Sequence, residues 1–164
     1  MAEAGDIVSG VAGRYASALF ALAHERRETG PVGEALARFD GLIEESPDLK
    51  RLVRSPVFSA EDQAKALAAI LEAAGIAGIA ANFIRLVAAK RRLFFIREMI
   101  ADYGKLNDRF RGVTRAKVTS AAPLTDEHVA ALKDALRAIS GGKDVDLEVK
   151  LDPSLIGGLI VQLG

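Results

Sequence analysis

Arg111-Gly112-Val113-Thr114-Arg115-Ala116-Lys117-Val118-Thr119 is the stretch at which the spacing of apolar residues changes. Before it, apolar positions recur at helical intervals. From Thr114 onward, Thr114, Ala116 and Val118 alternate with Arg115, Lys117 and Thr119, as in a strand with one wet face. A change of period within one chain predicts two differently built parts. The expected organisation is therefore mostly α, with a six-helix bundle over residues 1–111 and a small mixed α/β domain over 112–164.

Downstream of that switch, Thr125 is placed to cap a helix, with Leu124 and Val129 as its hydrophobic staple. Val129, Leu132, Leu136 and Ile139 form one apolar stripe, and Gly141-Gly142 stops the helix. Val145, Leu147, Val149 and Leu151 then alternate with charged residues, predicting a half-buried strand. The closing stretch, Asp152-Pro153-Ser154-Leu155-Ile156-Gly157-Gly158-Leu159-Ile160-Val161-Gln162-Leu163-Gly164, reads as a loop and a last strand. Leu159 to Val161 is apolar without alternation, as in a strand buried on both faces. The unit is β-α-β-β.

Upstream, helical spacing predicts a first helix over about Ser9 to Arg26, and Pro31 fits the first turn of a second. Pro47 and Pro56 bracket a short third helix, and Ser59 caps a fourth. A fifth covers about Ala77 to Arg91 and a sixth about Leu93 to Phe110. At ~100° per residue, the apolar positions of the first and fifth helices each span about 200°, whereas a helix with one buried face needs only about 100°. Such a helix is central in its own bundle, or it meets its bundle on one side and another chain's helix on the other. Two helices with surplus apolar arc could wall a groove for an amphipathic partner.

The totals exclude several classes. Lys plus Arg equals Asp plus Glu at 22 each, which removes a global electrostatic case for nucleic acid or acidic membranes. Without cysteine there is no disulfide, thiolate metal site or thiol catalysis. The first 13 residues carry Glu3 and Asp6 and no secretory pattern, and the longest uncharged run, Ala73 to Ile84, falls short of the ~18 residues of a membrane span. His24 and His128 are remote from each other, and no metal-ligand or nucleophile motif is present. The expectation is no catalytic residue, no cofactor and no metal. The stretch 85–117 is locally basic, which leaves a nucleic-acid-binding adaptor as the alternative function.

Three segments, in order, carry a resemblance. Arg14-Tyr15-Ala16-Ser17-Ala18-Leu19-Phe20-Ala21-Leu22-Ala23 is similar to the opening helix of the ATP synthase delta subunit family, the bacterial counterpart of mitochondrial OSCP. Asn82-Phe83-Ile84-Arg85-Leu86-Val87 with Lys90-Arg91-Arg92-Leu93 resembles the family's fifth helix, and Asp152 to Val161 with Gly164 its C-terminal signature. The likeness spans the whole chain.

The resemblance implies a non-catalytic connector in the peripheral stalk of the F-type ATP synthase, holding the catalytic head to the b-subunit stalk against rotor torque during proton-driven synthesis. It implies one copy per complex, peripheral on the cytoplasmic side of the bacterial inner membrane, with no membrane insertion and no nucleic acid. The partners would be the α subunits of the head, with β subunits as further contacts, and the b subunits. Carried over by position, Arg14, Tyr15, Ala18, Leu19 and Leu22 would line one wall of the α-subunit groove. Phe83, Leu86, Val87 and Lys90 would line the other. Asp152, Pro153, Leu155, Gly157 and Gly158 would form the stalk-side signature. The contacts are expected to be led by Tyr15, Leu19, Phe83 and Val87, with Arg14 and Lys90 setting orientation, and alanine at Tyr15 and Leu19 is expected to weaken head binding without unfolding the bundle. The family pattern continues into a further amphipathic helix after the last strand, so the small domain is expected to expose part of its core.

Overall fold

A computed structural model describes residues 8–163; Glu3, Asp6 and Gly164 lie outside them. The described chain is mostly helical with one small sheet. Its helices are α1 (Gly10–Glu25), α2 (Thr29–Glu45), α3 (Pro47–Arg54), α4 (Ala60–Ala73), α5 (Gly78–Ala89), α6 (Ile96–Arg111) and α7 (Asp126–Ile139). Its strands are β1 (Val113–Ser120), β2 (Asp144–Leu151) and β3 (Leu159–Leu163). The chain divides into two compact units, Met1–Asn107 and Asp108–Gly164. The division falls within the last turn of α6, where the Asp108 carboxylate pairs with Arg115 of β1 at 2.5 Å.

In the first unit the helices share one core, in which Phe39, Ile43, Leu67, Leu71, Ile84, Ile96 and Met99 have no accessible surface. Local chemistry sets the helix ends. Ser46 and Ser59 accept from the backbone N–H three residues on, satisfying donors that the first turns of α3 and α4 leave open. A 3₁₀ turn at Leu93–Phe95, absent from the sequence expectation, delays the start of α6 to Ile96. Tyr103 of α6 donates its hydroxyl to the Thr29 carbonyl at the start of α2, and burial pushes its pKa up to about 12. Arg97 of α6 makes two bonds to Asp40 and one to Glu44, both on α2.

α1 and α5 close in the same way. Each ends with a residue in the left-handed region, Arg27 at φ 58° and Arg91 at φ 56°. In each case the following N–H reaches back five residues, Glu28 to the Ala23 carbonyl and Arg92 to the Val87 carbonyl. This is the Schellman arrangement, in which glycine is usual.

In the second unit the strand order is β2-β1-β3, with β1 parallel to β2 and antiparallel to β3. α7 is the crossover that a parallel pair requires. It is capped by Thr125 and closed by Gly142 N–H on the Arg137 carbonyl, at φ 81°. Register places Ala116, Val118, Val145, Leu147, Val149, Leu151, Leu159, Val161 and Leu163 on one face. Ala116, Val118, Leu136 and Val145 are buried there, while Val149, Leu151 and all of β3 are exposed. The expectation of a last strand buried on both faces is therefore wrong. Its apolar run reads as a core strand, but it is an edge strand that nothing among the described residues covers.

Candidate functional site

α1 is built from small residues on the side that meets its own unit: Ala12, Ala16 and Ala23 are 6% exposed or less. α5 turns Ala80, Ala81, Ile84, Val87 and Ala88 the same way. Each helix has more apolar arc than that contact uses. The remainder forms a trough of about 530 Å³, walled on one side by Arg14, Tyr15, Ala18, Leu19 and Leu22. Ile79, Asn82, Phe83 and Leu86 form the other side.

The rings set its shape. Tyr15 meets Phe83 edge-on, with centroids 6.4 Å apart and planes at 62°. The Arg92 guanidinium donates to the Tyr15 hydroxyl at 2.8 Å and lies 5.5 Å from the ring centroid, within reach of the π face. Leu22 and Leu86 keep 43% and 49% of their surface in water, one on each wall. Among the described residues Arg14 is the only charged one in the lining, and the trough they form offers apolar contact and no reactive group. It can accept the apolar ridge of a helix; it cannot do acid–base or nucleophilic chemistry.

Seven of the nine expected groove residues lie in this trough, and two do not. Val87 is fully buried; one step beyond Leu86 turns the side chain by about 100°, away from the trough and into the core. Lys90 caps the end of α5, exposed and outside the lining. Leu19 forms part of the wall and is 95% buried, with 5% exposed, so the double alanine change at Tyr15 and Leu19 would disturb the core as well as the trough. Ile79 and Asn82 were missed. They stand four and one residues before Phe83, on the stripe continued by Leu86, so helical spacing alone could have found Ile79. Asn82 was passed over because it is polar.

The stalk-side signature residues form the β2–β3 loop. Asp152 accepts from the Ser154 N–H at 3.0 Å and hydroxyl at 2.6 Å, bonds that hold its carboxyl below the usual range. Its own N–H donates to the Ser120 carbonyl. Gly158 takes φ 86°, which a side chain would oppose. Pro153 and Gly157 are exposed, Leu155 half-buried, and Ile156 fully in water.

The basic stretch 85–117 does not form a phosphate-binding surface. Arg97 is taken by Asp40 and Glu44, Lys105 by Asp102 and Arg115 by Asp108. Arg91 donates to the Phe58 and Pro56 carbonyls. A second concavity, of about 600 Å³ in the C-terminal unit, sets Arg111, Arg115, Lys133 and Arg137 against Asp108, Asp134, Asp144 and Asp146, and so carries no surplus charge. Among the described residues no group of His, Cys, Asp or Glu is placed to hold a metal, and no helix is long and apolar enough to cross a membrane.

Residues 11–164 match the family model of the ATP synthase delta (OSCP) subunit. The chain is 60% identical over 158 residues to ATP synthase subunit delta of Azorhizobium caulinodans, covering 96% of this chain and 84% of that one. It is 54% identical over 164 residues to ATP synthase subunit delta of Rhodopseudomonas palustris, covering 100% of this chain and 88% of its relative. A chain in the cryo-EM structure of the Toxoplasma gondii mitochondrial ATP synthase hexamer shares the fold, with a TM-score of 0.74 at 19% identity, over 93% of this chain and 85% of that one.

Proposed function

We infer the task of this chain from one premise: it belongs to the ATP synthase delta (OSCP) subunit family, a component of the peripheral stalk of the F-type ATP synthase and not a catalytic subunit. Its helical unit, a six-helix bundle in this reading, docks the N-terminal helix of a head α subunit in the α1–α5 trough. β subunits add contacts around it, and the C-terminal unit engages the b stalk on the cytoplasmic side of the membrane, one copy per complex. Torque gives the arrangement its purpose. A turning shaft drags the head with it unless something anchored outside the rotor holds it still.

The observation that carries this reading is the half-exposed leucine on each wall, Leu22 on α1 and Leu86 on α5, in a trough that also holds Tyr15 and Phe83. Exposed ion pairs contribute ~0–1 kcal/mol each, whereas burying a leucine contributes ~1.5–3 kcal/mol. Docking can bury only the exposed half of each side chain, so a joint Leu22→Ala and Leu86→Ala change should weaken binding of an α-subunit N-terminal peptide by about 10- to 100-fold. The bundle should stay folded, with a melting temperature lowered by several degrees, because about half of each side chain is already in water. Undiminished peptide binding to the double variant, measured by titration calorimetry, would remove the trough from the mechanism. Co-purification of the intact chain with α and b subunits tests the connector role itself.

A further inference from the structure

The sheet of the C-terminal unit has two outer edges, and only one of them is guarded. In the order β2-β1-β3, β2 and β3 each pair on one side alone among the described residues. An outer strand leaves a row of N–H and C=O groups open to a further strand, and charge along the edge is a common defence. β2 has that defence, because Asp144, Asp146, Glu148 and Lys150 alternate along it. A two-fold pairing of β2 about Leu147 sets each Asp146 against a Glu148, and one about Glu148 sets that carboxylate against itself. Like charges directly opposed are destabilising. β3 has neither charge nor proline, and all five of its residues are exposed.

The sequence of β3 is also symmetric. Leu159-Ile160-Val161-Gln162-Leu163 places Leu, Val and Leu at alternate positions, a pattern that is the same in both directions. Turned about a two-fold axis through Val161, the strand meets its copy with Val161 on Val161, Leu159 on Leu163 and Ile160 on Gln162. Each residue that β3 contributes to the apolar face of the sheet thereby gains an apolar neighbour, and no charge opposes another. β3 already runs antiparallel to β1, so an added antiparallel strand continues the sheet.

We propose that β3 is a self-pairing edge: two copies of this chain join antiparallel through β3, centred on Val161, into one sheet ordered β2-β1-β3-β3-β1-β2. The pairing gives the open backbone groups of β3 their partners and covers one flank of Leu159, Val161 and Leu163, which lie outside the small core around Leu136. The interface is isologous and closes at two copies, since the new outer edges are the charged β2 strands. A five-residue edge makes a small interface, so the pair is weak and set by concentration. It completes an open sheet and is not docking on a finished surface. It belongs to the chain outside the complex and is independent of the single copy proposed within it.

Sedimentation of the full chain over a range of concentrations should show its mass double and rise no further. A single copy throughout, or growth beyond two, overturns the pairing. The chain has no cysteine, so one introduced thiol reports its own position. Directly opposed residues of an antiparallel pair have Cα atoms about 4.5–5.5 Å apart, within the span of a disulfide. Under a mild oxidant Val161→Cys should give a covalent dimer, while Glu148→Cys, on the guarded edge, should not. Equal cross-linking at the two positions, or none at Val161→Cys, overturns the proposal. A second arm uses Ile160→Glu with Gln162→Glu. It opposes two carboxylates on each side of the axis, yet gives Lys117, directly opposite Gln162 in the sheet, an acidic neighbour. The dimer should be lost while the sheet amides stay protected from exchange; a dimer that survives the double change overturns pairing through β3.

Discussion

Leu22 and Leu86 in the helical unit are 43% and 49% exposed, and Val149, Leu151, Leu159 and Leu163 in the C-terminal unit are 43–49% exposed. The fractions match and the situations do not. Behind Leu22 and Leu86 stand Ala12, Ala16, Ile84 and Val87, all within a filled core that fixes the trough whether or not anything occupies it. Among the described residues only α7 stands behind the sheet residues, and its single buried residue is Leu136. Equal exposure thus belongs to a preformed trough in one unit and to an incompletely covered core in the other. An exposed apolar patch points to a partner only where the scaffold beneath can keep its shape alone.

The hardest test of that contrast removes Leu136. A buried Leu→Ala change costs about 2–5 kcal/mol, and a core as small as this one supplies little more. Leu136→Ala should abolish amide protection across β1, β2 and β3 while the α1–α6 amides exchange as before. Persisting protection in the sheet, read by hydrogen exchange, would show that the second unit has stability this core does not explain.

Within the helical unit, neighbouring positions on one wall should separate fold from docking. Leu19→Ala should lower stability by about 2–5 kcal/mol, and Leu22→Ala by only about 1 kcal/mol. Both should weaken partner binding. Similar denaturation midpoints for the two would mean that the trough wall is not backed by a rigid core.

A smaller effect concerns how α2 and α6 are held together. Arg97 is one-third exposed and bonds Asp40 through two nitrogens. Arg97→Met should cost about 1 kcal/mol through that pair, the upper range for such bridges. The hydrogen bond from Arg97, then the charge of Lys50, lower the Glu44 pKa below 4.5. A lowered carboxyl adds stability above its unfolded value and loses it as pH falls through the folded one. The wild-type advantage over Arg97→Met should therefore be full at neutral pH and shrink below about pH 4.5, in thermal melts at stepped pH. An advantage independent of pH would assign the Arg97 contribution to its stem packing instead.

The wall of the trough was legible because helical spacing is a local property. That Tyr15, Ala18, Leu22, Phe83 and Leu86 belong to wide apolar arcs follows from residue type and a ~100° step; their selection as the wall is what the family resemblance implies. Which flank of a two-sided helix faces its own core is not local, and Val87 was misassigned for that reason: it is as apolar as Leu86 and differs only in rotation. The last strand failed similarly. Leu159-Ile160-Val161 has the composition of a covered strand, and composition cannot say whether a covering element is present. The caps at Ser59 and Thr125 and the stop at Gly141-Gly142 were readable because each is settled within a few residues. The ends of α1 and α5 were not, since no glycine marks either.

Those unmarked ends allow a last and smallest test. Arg27 and Arg91 hold left-handed φ at equivalent positions of the two groove helices, at a cost of roughly 1–2 kcal/mol for a residue with a Cβ. Arg91 is offset by its bonds to the Phe58 and Pro56 carbonyls. Arg27 has no side-chain bond among the described residues, so nothing compensates it. Glycine would relieve the backbone at either site and would lose roughly 0.4–1 kcal/mol to a freer unfolded chain. Arg27→Gly should therefore stabilise the helical unit by about 0.5 kcal/mol, seen as a small rise in denaturation midpoint at constant slope. Arg91→Gly gives up two hydrogen bonds for the same relief and should be neutral or destabilising. If the two substitutions behaved alike, the Arg91 bonds would contribute nothing, and the turn that aims Arg92 at Tyr15 would be held by backbone geometry alone.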